Sequence, residues 1–302
     1  MATPNPLDHP IVLARPRRLS EITSWQHHIP FGMWLVDVLR PQLVVELGTH
    51  FGDSYCAFCQ AVDELGLSAA CFAVDTWAGD DHAGFYGTEV LEDLRAHHNP
   101  LYSGFSELMH MTFDEALPRF HDASIDLLHI DGRHGYEDVR SDFESWLPKL
   151  SDKGVVLLHD TMRQLDGFGV YRLVAELRGR YPVFEFAHGS GLALVAVGDH
   201  APGEILELTR LEGAALERWR DFFATLGAGV RLIGHVQRET PSARRIRADL
   251  DGVRAELEGV RAELEGVRAE LVGVRAAFGE VAANPVLRLG ELARRLRLRS
   301  RG

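Results

Sequence analysis

Two apolar runs in this chain end in the same residue types. LLHID closes on Asp131, with His134 three residues on, and GVVLLHD closes on His159 and Asp160. Carboxylates and imidazoles side by side can pass protons near neutral pH or ligate a cation. Two more carboxylates, Glu46 in VVELGTHFG and Asp75 in CFAVDTW, also stand at the ends of apolar runs. The plainer reading makes the aspartates capping groups and His134 the cap of a helix beginning near Tyr136. The same pattern at two run ends favours chemistry.

These residues can act together only if the runs that carry them lie side by side. Segments 43–48, 71–77, 107–113, 124–131 and 154–160 are short and almost continuously apolar, as strands covered on both faces are. Helical spacing marks 22–39, 136–150 and 169–181; in the second, Val139, Phe143, Trp146, Leu147 and Leu150 share one face. Segment 183–198 holds two strands joined by His188 to Gly191, a link so short that it forces an antiparallel hairpin. The sum is a doubly wound, mostly parallel seven-stranded α/β sheet with a closing hairpin. Ligands of such sheets bind beyond the carboxyl ends of the strands, where Glu46, Asp75, Asp131 and Asp160 all fall.

Glu46, Gly48 and Gly52 form E-x-G-x-x-x-G after the first strand. Glycines there allow a tight turn and close approach to a ligand, at a spacing unlike that of dinucleotide sites. Asp75, at the end of the second strand, can take both ribose hydroxyls of a nucleoside, or serve as a helix cap. An acidic rim suits a cationic cofactor better than a pyrophosphate.

ELGTHFG, AVDTW, IDGRHGYEDVRSDFESWLPKL and VVLLHD together resemble class I S-adenosylmethionine-dependent methyltransferases. They are similar in particular to the metal-dependent branch with sugar O-methyltransferases and cephalosporin-hydroxylase-like proteins, whose relatives accompany glycosyltransferases in bacterial polysaccharide assembly. The resemblance spans about residues 22–198 and implies a Rossmann-like methyltransferase fold. It implies that Glu46, Gly48, Thr49 and Gly52 line the methionine part of S-adenosylmethionine. It sets Asp75 on the ribose, Thr76 and Trp77 near the adenosine, and Phe113 or Asp114 near adenine. It gives Asp131 and Asp160 a divalent cation, Mg²⁺ or Mn²⁺, and makes His134 the base. The family often has Glu-Asp where this chain has His159-Asp160, so His159 is a third candidate ligand. The implied reaction is O-methylation of a sugar or glycan hydroxyl; the rival reading is a non-catalytic scaffold on the same fold.

Other segments are read more plainly. Cys56 and Cys59 are small apolar residues of one helix face, and His129 is a core histidine. Loops 77–87 and 163–171 are Gly-rich rim segments suited to lids, and Trp25 or Tyr86 could stack on a sugar ring. Residues 1–21 read as a flexible arm, 22–200 as the cofactor-binding domain and 201–240 as a helical extension.

Residues 241–280 read as a heptad coiled coil, with Leu250, Val253, Leu257, Val260, Leu264, Val267, Leu271, Val274 and Phe278 along its seam, implying a homo-oligomer. Residues 281–302 form a basic amphipathic tail, which either contacts an anionic membrane surface or packs on its own oligomer. Residues 241–302 hold 13 arginines and 9 acidic residues, +4; the whole chain is −12, so the first 240 residues carry −16. That balance argues against a nucleic-acid partner. Three cysteines and no apolar leader fit a reducing cytoplasm, at most peripheral at the inner face of the membrane.

Overall fold

The computed structural model describes residues 4–80, 84–238 and Gly266. The heptad segment and the basic tail, Gly266 apart, lie outside the described residues. Two compact units are distinguished, Met1–His235 and Val236–Gly302, and the first carries the sheet.

A 3₁₀ turn at Trp25–His28 runs into α1 (Ile29–Leu39), so this helix starts seven residues later than its apolar pattern suggests. Pro30 sits in its first turn, where a missing N–H costs nothing. The helix ends on Arg40 in the left-handed region (φ 43°), with Pro41 behind it. The chain then alternates through β1 (Leu43–Leu47), α2 (Asp53–Glu64) and β2 (Ala70–Asp75). A two-residue pair, β3 (Gly79–Asp80) and β4 (Gly84–Phe85), precedes α3 (Glu89–Tyr102), β5 (Ser106–His110), α4 (Phe113–Ala116) and β6 (Ile125–Ile130). After α5 (Tyr136–Trp146), β7 (Leu150–His159) and α6 (Val170–Leu177) come β8 (Val183–Phe186) and β9 (Leu192–Ala196). Helices α7 (Gly203–Thr209) and α8 (Gly213–Arg238) occupy the stretch read as helical.

The seven main strands make one sheet in the order β5-β2-β1-β6-β7-β9-β8. The first five are parallel, and β9 runs antiparallel to both neighbours, β7 and β8. The expected hairpin is present, with its second strand as the one that joins the sheet. Strand alternation sends Val44, Leu127, Val155 and Leu157 to the layer shared with α1 and α2. Val45, Leu47, Leu128, Ile130, Val156 and Leu158 face the layer of α5 and α6. Helix α5 buries Val139, Phe143 and Trp146 at the spacing read from the sequence. Truncating Trp146 to alanine in such a setting costs about 3–5 kcal/mol.

Residues 4–20 are docked, where a flexible arm was expected. Ile11 and Val12 are buried. The Arg17 N–H donates to Gln60 Oε1 (2.8 Å), Arg18 Nε–H to the Phe51 carbonyl (2.6 Å) and the Ser20 N–H to Asp53 Oδ1 (2.8 Å). Prolines and arginines suggest disorder by composition. Here the prolines fix two 3₁₀ turns, and the arginines reach Asp63, Glu64 and Asp93 on α2 and α3. Among the described residues, no helix is long and apolar enough to cross a membrane.

Candidate active site

From β1 the chain crosses over toward β2; from β6 it crosses to β7 on the opposite side. Such a reversal opens a crevice at the carboxyl ends of the two strands. A cavity of about 780 Å³ fills it, within the size range of ligand clefts. Its wall includes Gly48, Thr49, Gly52, Asp75, Thr76, Phe113, Asp114, Asp131, His134, His159 and Asp160.

The loop after β1 turns on two glycines. Gly48 has φ 85°, and a Cβ there would lie 2.3 Å from the Asp131 carbonyl oxygen. Gly52 has φ 77°, and its Cβ would meet Leu94 at 2.6 Å. Both positions therefore need glycine for conformation and for room. Asp75 braces the loop from β2: the Thr49 and His50 N–H groups donate to its Oδ2 (2.8 and 2.9 Å). The Trp77 N–H donates to its Oδ1 (2.8 Å). A carboxylate offers about four acceptor positions, so one remains for a ligand hydroxyl. Thr49 Oγ1 is buried without a hydrogen-bond partner among the described residues. An orphaned hydroxyl beside a glycine cradle fits a polar ligand.

Two expected cofactor residues are placed elsewhere. Glu46 is fully buried behind the cavity, where Trp25 Nε1–H donates to His129 Nε2 (3.1 Å) and so leaves the proton on Nδ1. That Nδ1–H donates to Glu46 Oε2 (2.7 Å). Burial raises the Glu46 pKa, against the pull of His129. His129 is thus the satisfied core histidine expected of it. Strand alternation is the cause: Glu46 points into the sheet's packed face, and the next turn, not the strand, meets the cavity. Trp77 is 3% exposed at φ 44°, folded under the loop with its Nε1–H on the His50 carbonyl (2.9 Å). Tyr86 and Trp25 both reach the wall; Tyr86 stacks on His50 (4.8 Å between centroids), and Trp25, almost fully buried, packs against Phe58 and His129.

At the ends of β6 and β7 two carboxylates and two imidazoles converge. His134 Nε2 lies 3.4 Å from Asp131 Oδ1 and 3.1 Å from Asp160 Oδ2. His159 Nδ1 lies 3.3 Å from Asp131 Oδ1, and its Nε2 faces the Gly189 carbonyl at 3.2 Å. Both of those partners can only accept, so both ring nitrogens of His159 carry hydrogen. Burial lowers its pKa, but the charges of Asp131 and Asp160 outweigh that and raise it. His134 behaves alike: burial lowers its pKa, and Asp131 with Asp160 raises it above the ordinary value. Asp131 is held well below the usual carboxylate range by His159 and His134, against burial.

Asp131, His134 and Asp160 each offer a donor atom, all within 4.8 Å of one another, a set that fits a divalent cation. His159 is not among those three donors: its Nδ1 faces Asp131 and its Nε2 the Gly189 carbonyl, so in the metal-free site it ties Asp131 to the hairpin turn.

Some wall residues escaped the sequence reading. Phe168 stacks on His134 (4.9 Å, 18° between planes) and covers its ring. Asp142, on the cavity wall, is pushed up to about 7 by burial and by Asp138 and Asp114. Only its place on the apolar side of α5, one residue before Phe143, could have marked it.

The fold is a Rossmann-like α/β sheet with a cavity at its switch point. Residues 45–161 match the family model described as a methyltransferase domain. A stretch of 200 residues, 66% of this chain, is 49% identical to uncharacterized protein y4gI of Sinorhizobium fredii. This chain spans 22% of that relative's length. Among solved structures, it is similar to the O-methyltransferase TomG of Streptomyces achromogenes in complex with S-adenosylmethionine: 16% identity, 60% of this chain, 91% of that one, TM-score 0.44. Another is the S-adenosylhomocysteine-bound methyltransferase PaMTH1 of Podospora anserina, at 15% identity, 56% and 77% coverage and TM-score 0.43.

Proposed function

We propose that the chain is an S-adenosylmethionine-dependent O-methyltransferase, metal-assisted, acting on a sugar or glycan hydroxyl. The observation that carries the reading is the convergence of Asp131, His134 and Asp160 beside the loop of Gly48 and Gly52 in one cavity. When bound, the cofactor supplies a methyl group on a cationic sulfonium, and a hard cation lowers the pKa of the acceptor hydroxyl. Gly48, Thr49 and Gly52 receive the cofactor's methionine part; Asp75 and Thr76 receive the ribose; Phe113 and Asp114 flank the adenine. Asp131 and Asp160 offer oxygen ligands to the cation. His134 takes the acceptor's proton, held in place by the two carboxylates and by Phe168.

A second reading follows from the three-donor geometry: His134 is itself a ligand, and the cation alone ionises the acceptor. The test is release of S-adenosylhomocysteine with a panel of sugars, with and without chelator. Turnover that stops in EDTA and returns with Mg²⁺ or Mn²⁺ supports the metal. Full-speed turnover in EDTA removes it, and no turnover with any sugar in a metal-replete assay favours a scaffold instead.

His134 must be unprotonated to act as a base, and its pKa is raised. In the metal-free chain its titration, followed by NMR, should therefore lie above the ordinary imidazole value of about 6.5. In Asp131→Asn the imidazole titration of His134, followed by NMR, should move down. An unmoved titration would disprove the carboxylate's control.

The segment 241–280 is proposed to form a homo-oligomeric coiled coil, with glycosyltransferases as candidate partners and the basic tail as a peripheral membrane contact. Sedimentation of the full chain against one ending at Thr240 tests the oligomer: equal masses per chain at tens of micromolar would refute it.

A further inference from the structure

Arg133 differs from the other charged groups of the cavity wall. It lies between Asp131 and His134 in the chain and is exposed, with no hydrogen bond or ion pair among the described residues. The nearby carboxylates are engaged elsewhere: Asp131 by His134 and His159, Asp160 by His134 and Arg163. The other arginine of the wall is fixed in place. Arg163 Nε–H donates to Ser190 Oγ (3.2 Å), and its guanidinium lies 5.6 Å from the centre of the Phe168 ring, the ring that covers His134.

The chain carries −12 in all, and the cavity wall is rich in aspartate. At long range that field repels an anionic acceptor. A neutral sugar would have no use for a free guanidinium next to the base. An acidic sugar would need one, because a local fork of N–H donors overcomes the repulsion at contact. Guanidinium pairs with carboxylate and phosphate oxygens two at a time, so it fixes orientation as well as affinity.

We infer that Arg133 holds an anionic group, a phosphate or a carboxylate, on the acceptor whose hydroxyl is presented to His134. The inference rests on the methyl-transfer reading and narrows its acceptor from sugars in general to acidic sugars.

The test is calorimetry on the full chain with glucose 6-phosphate, glucuronate and glucose, together with a separate titration of S-adenosylhomocysteine. One of the two anions should bind more tightly than glucose, and which one does so identifies the group as phosphate or carboxylate. Arg133→Gln should weaken that anion by about 10-fold or more, the size of a charge-assisted pair. Arg133→Lys, which keeps the charge without the fork, should weaken it less. The inference is overturned if neither anion outcompetes glucose, or if Arg133→Gln binds the anion as tightly as the parent chain. No anion preference in the parent chain, with S-adenosylhomocysteine still bound, removes this inference alone. Anion binding without S-adenosylhomocysteine binding removes the methyl-transfer reading and leaves an anion site.

Discussion

Replacing His134 with alanine is expected to lower turnover by at least ~100-fold while S-adenosylhomocysteine binds as before. The imidazole lies 3.4 Å from Asp131 and 3.1 Å from Asp160, and Phe168 stacks on it. It is 14% exposed, so the change removes a group from the cavity wall without opening the core. The cofactor loop follows β1 and is braced by Asp75 of β2, whereas Asp131, Asp160 and Phe168, which His134 contacts, lie outside it. Equal losses of turnover and of cofactor affinity would mean that His134 shapes the cavity instead of handling the proton. His134→Gln refines the result: it keeps much of the volume and a hydrogen-bonding tip, so recovery of turnover in that variant would refute proton transfer.

The cofactor loop should show the other large effect. Gly48→Ala sets a Cβ about where the Asp131 carbonyl already lies, at a φ that costs an L-residue roughly 1–2 kcal/mol before any clash. The loop must then move away from β6, and affinity for S-adenosylhomocysteine should fall at least ~10-fold. Asp75→Ala takes the acceptor from three backbone N–H groups at once. Each stranded donor costs about 1–3 kcal/mol if it stays buried, so both melting temperature and affinity should drop. Calorimetry on folded samples decides: unchanged affinity in both variants would sink the assignment of this loop to the cofactor.

The sheet was legible because its strands are covered on both faces, and covered strands are written as continuous apolar runs. The hairpin was legible because four residues from His188 to Gly191 leave no room for a crossover. Asp131, His134 and Asp160 stood out because a carboxylate ending an apolar run is costly unless it is used. Glu46 and Trp77 were misplaced because a motif gives positions along the chain, not the direction of a side chain. Strand alternation turned the first inward, and a left-handed φ folded the second under its loop. The docked N-terminal segment was hidden because its contacts are arginine hydrogen bonds to a carbonyl and to acids far along the chain. No local pattern records such pairs. Phe168 was hidden for a similar reason: its partner His134 lies 34 residues upstream.

Reporter loops and affinity tags are often inserted into hairpin turns, since such turns usually tolerate change. The turn between β8 and β9 is a poor host. The Gly189 carbonyl accepts from His28 Nε2 (3.0 Å) and from His159 Nε2 (3.2 Å), and a Cβ at Gly189 would meet the His28 ring at 2.7 Å. Lengthening that turn would release both imidazoles, and with His159 the cation that restrains Asp131. An insertion that spares the cavity belongs near Gly104, where an added Cβ meets nothing within 4 Å.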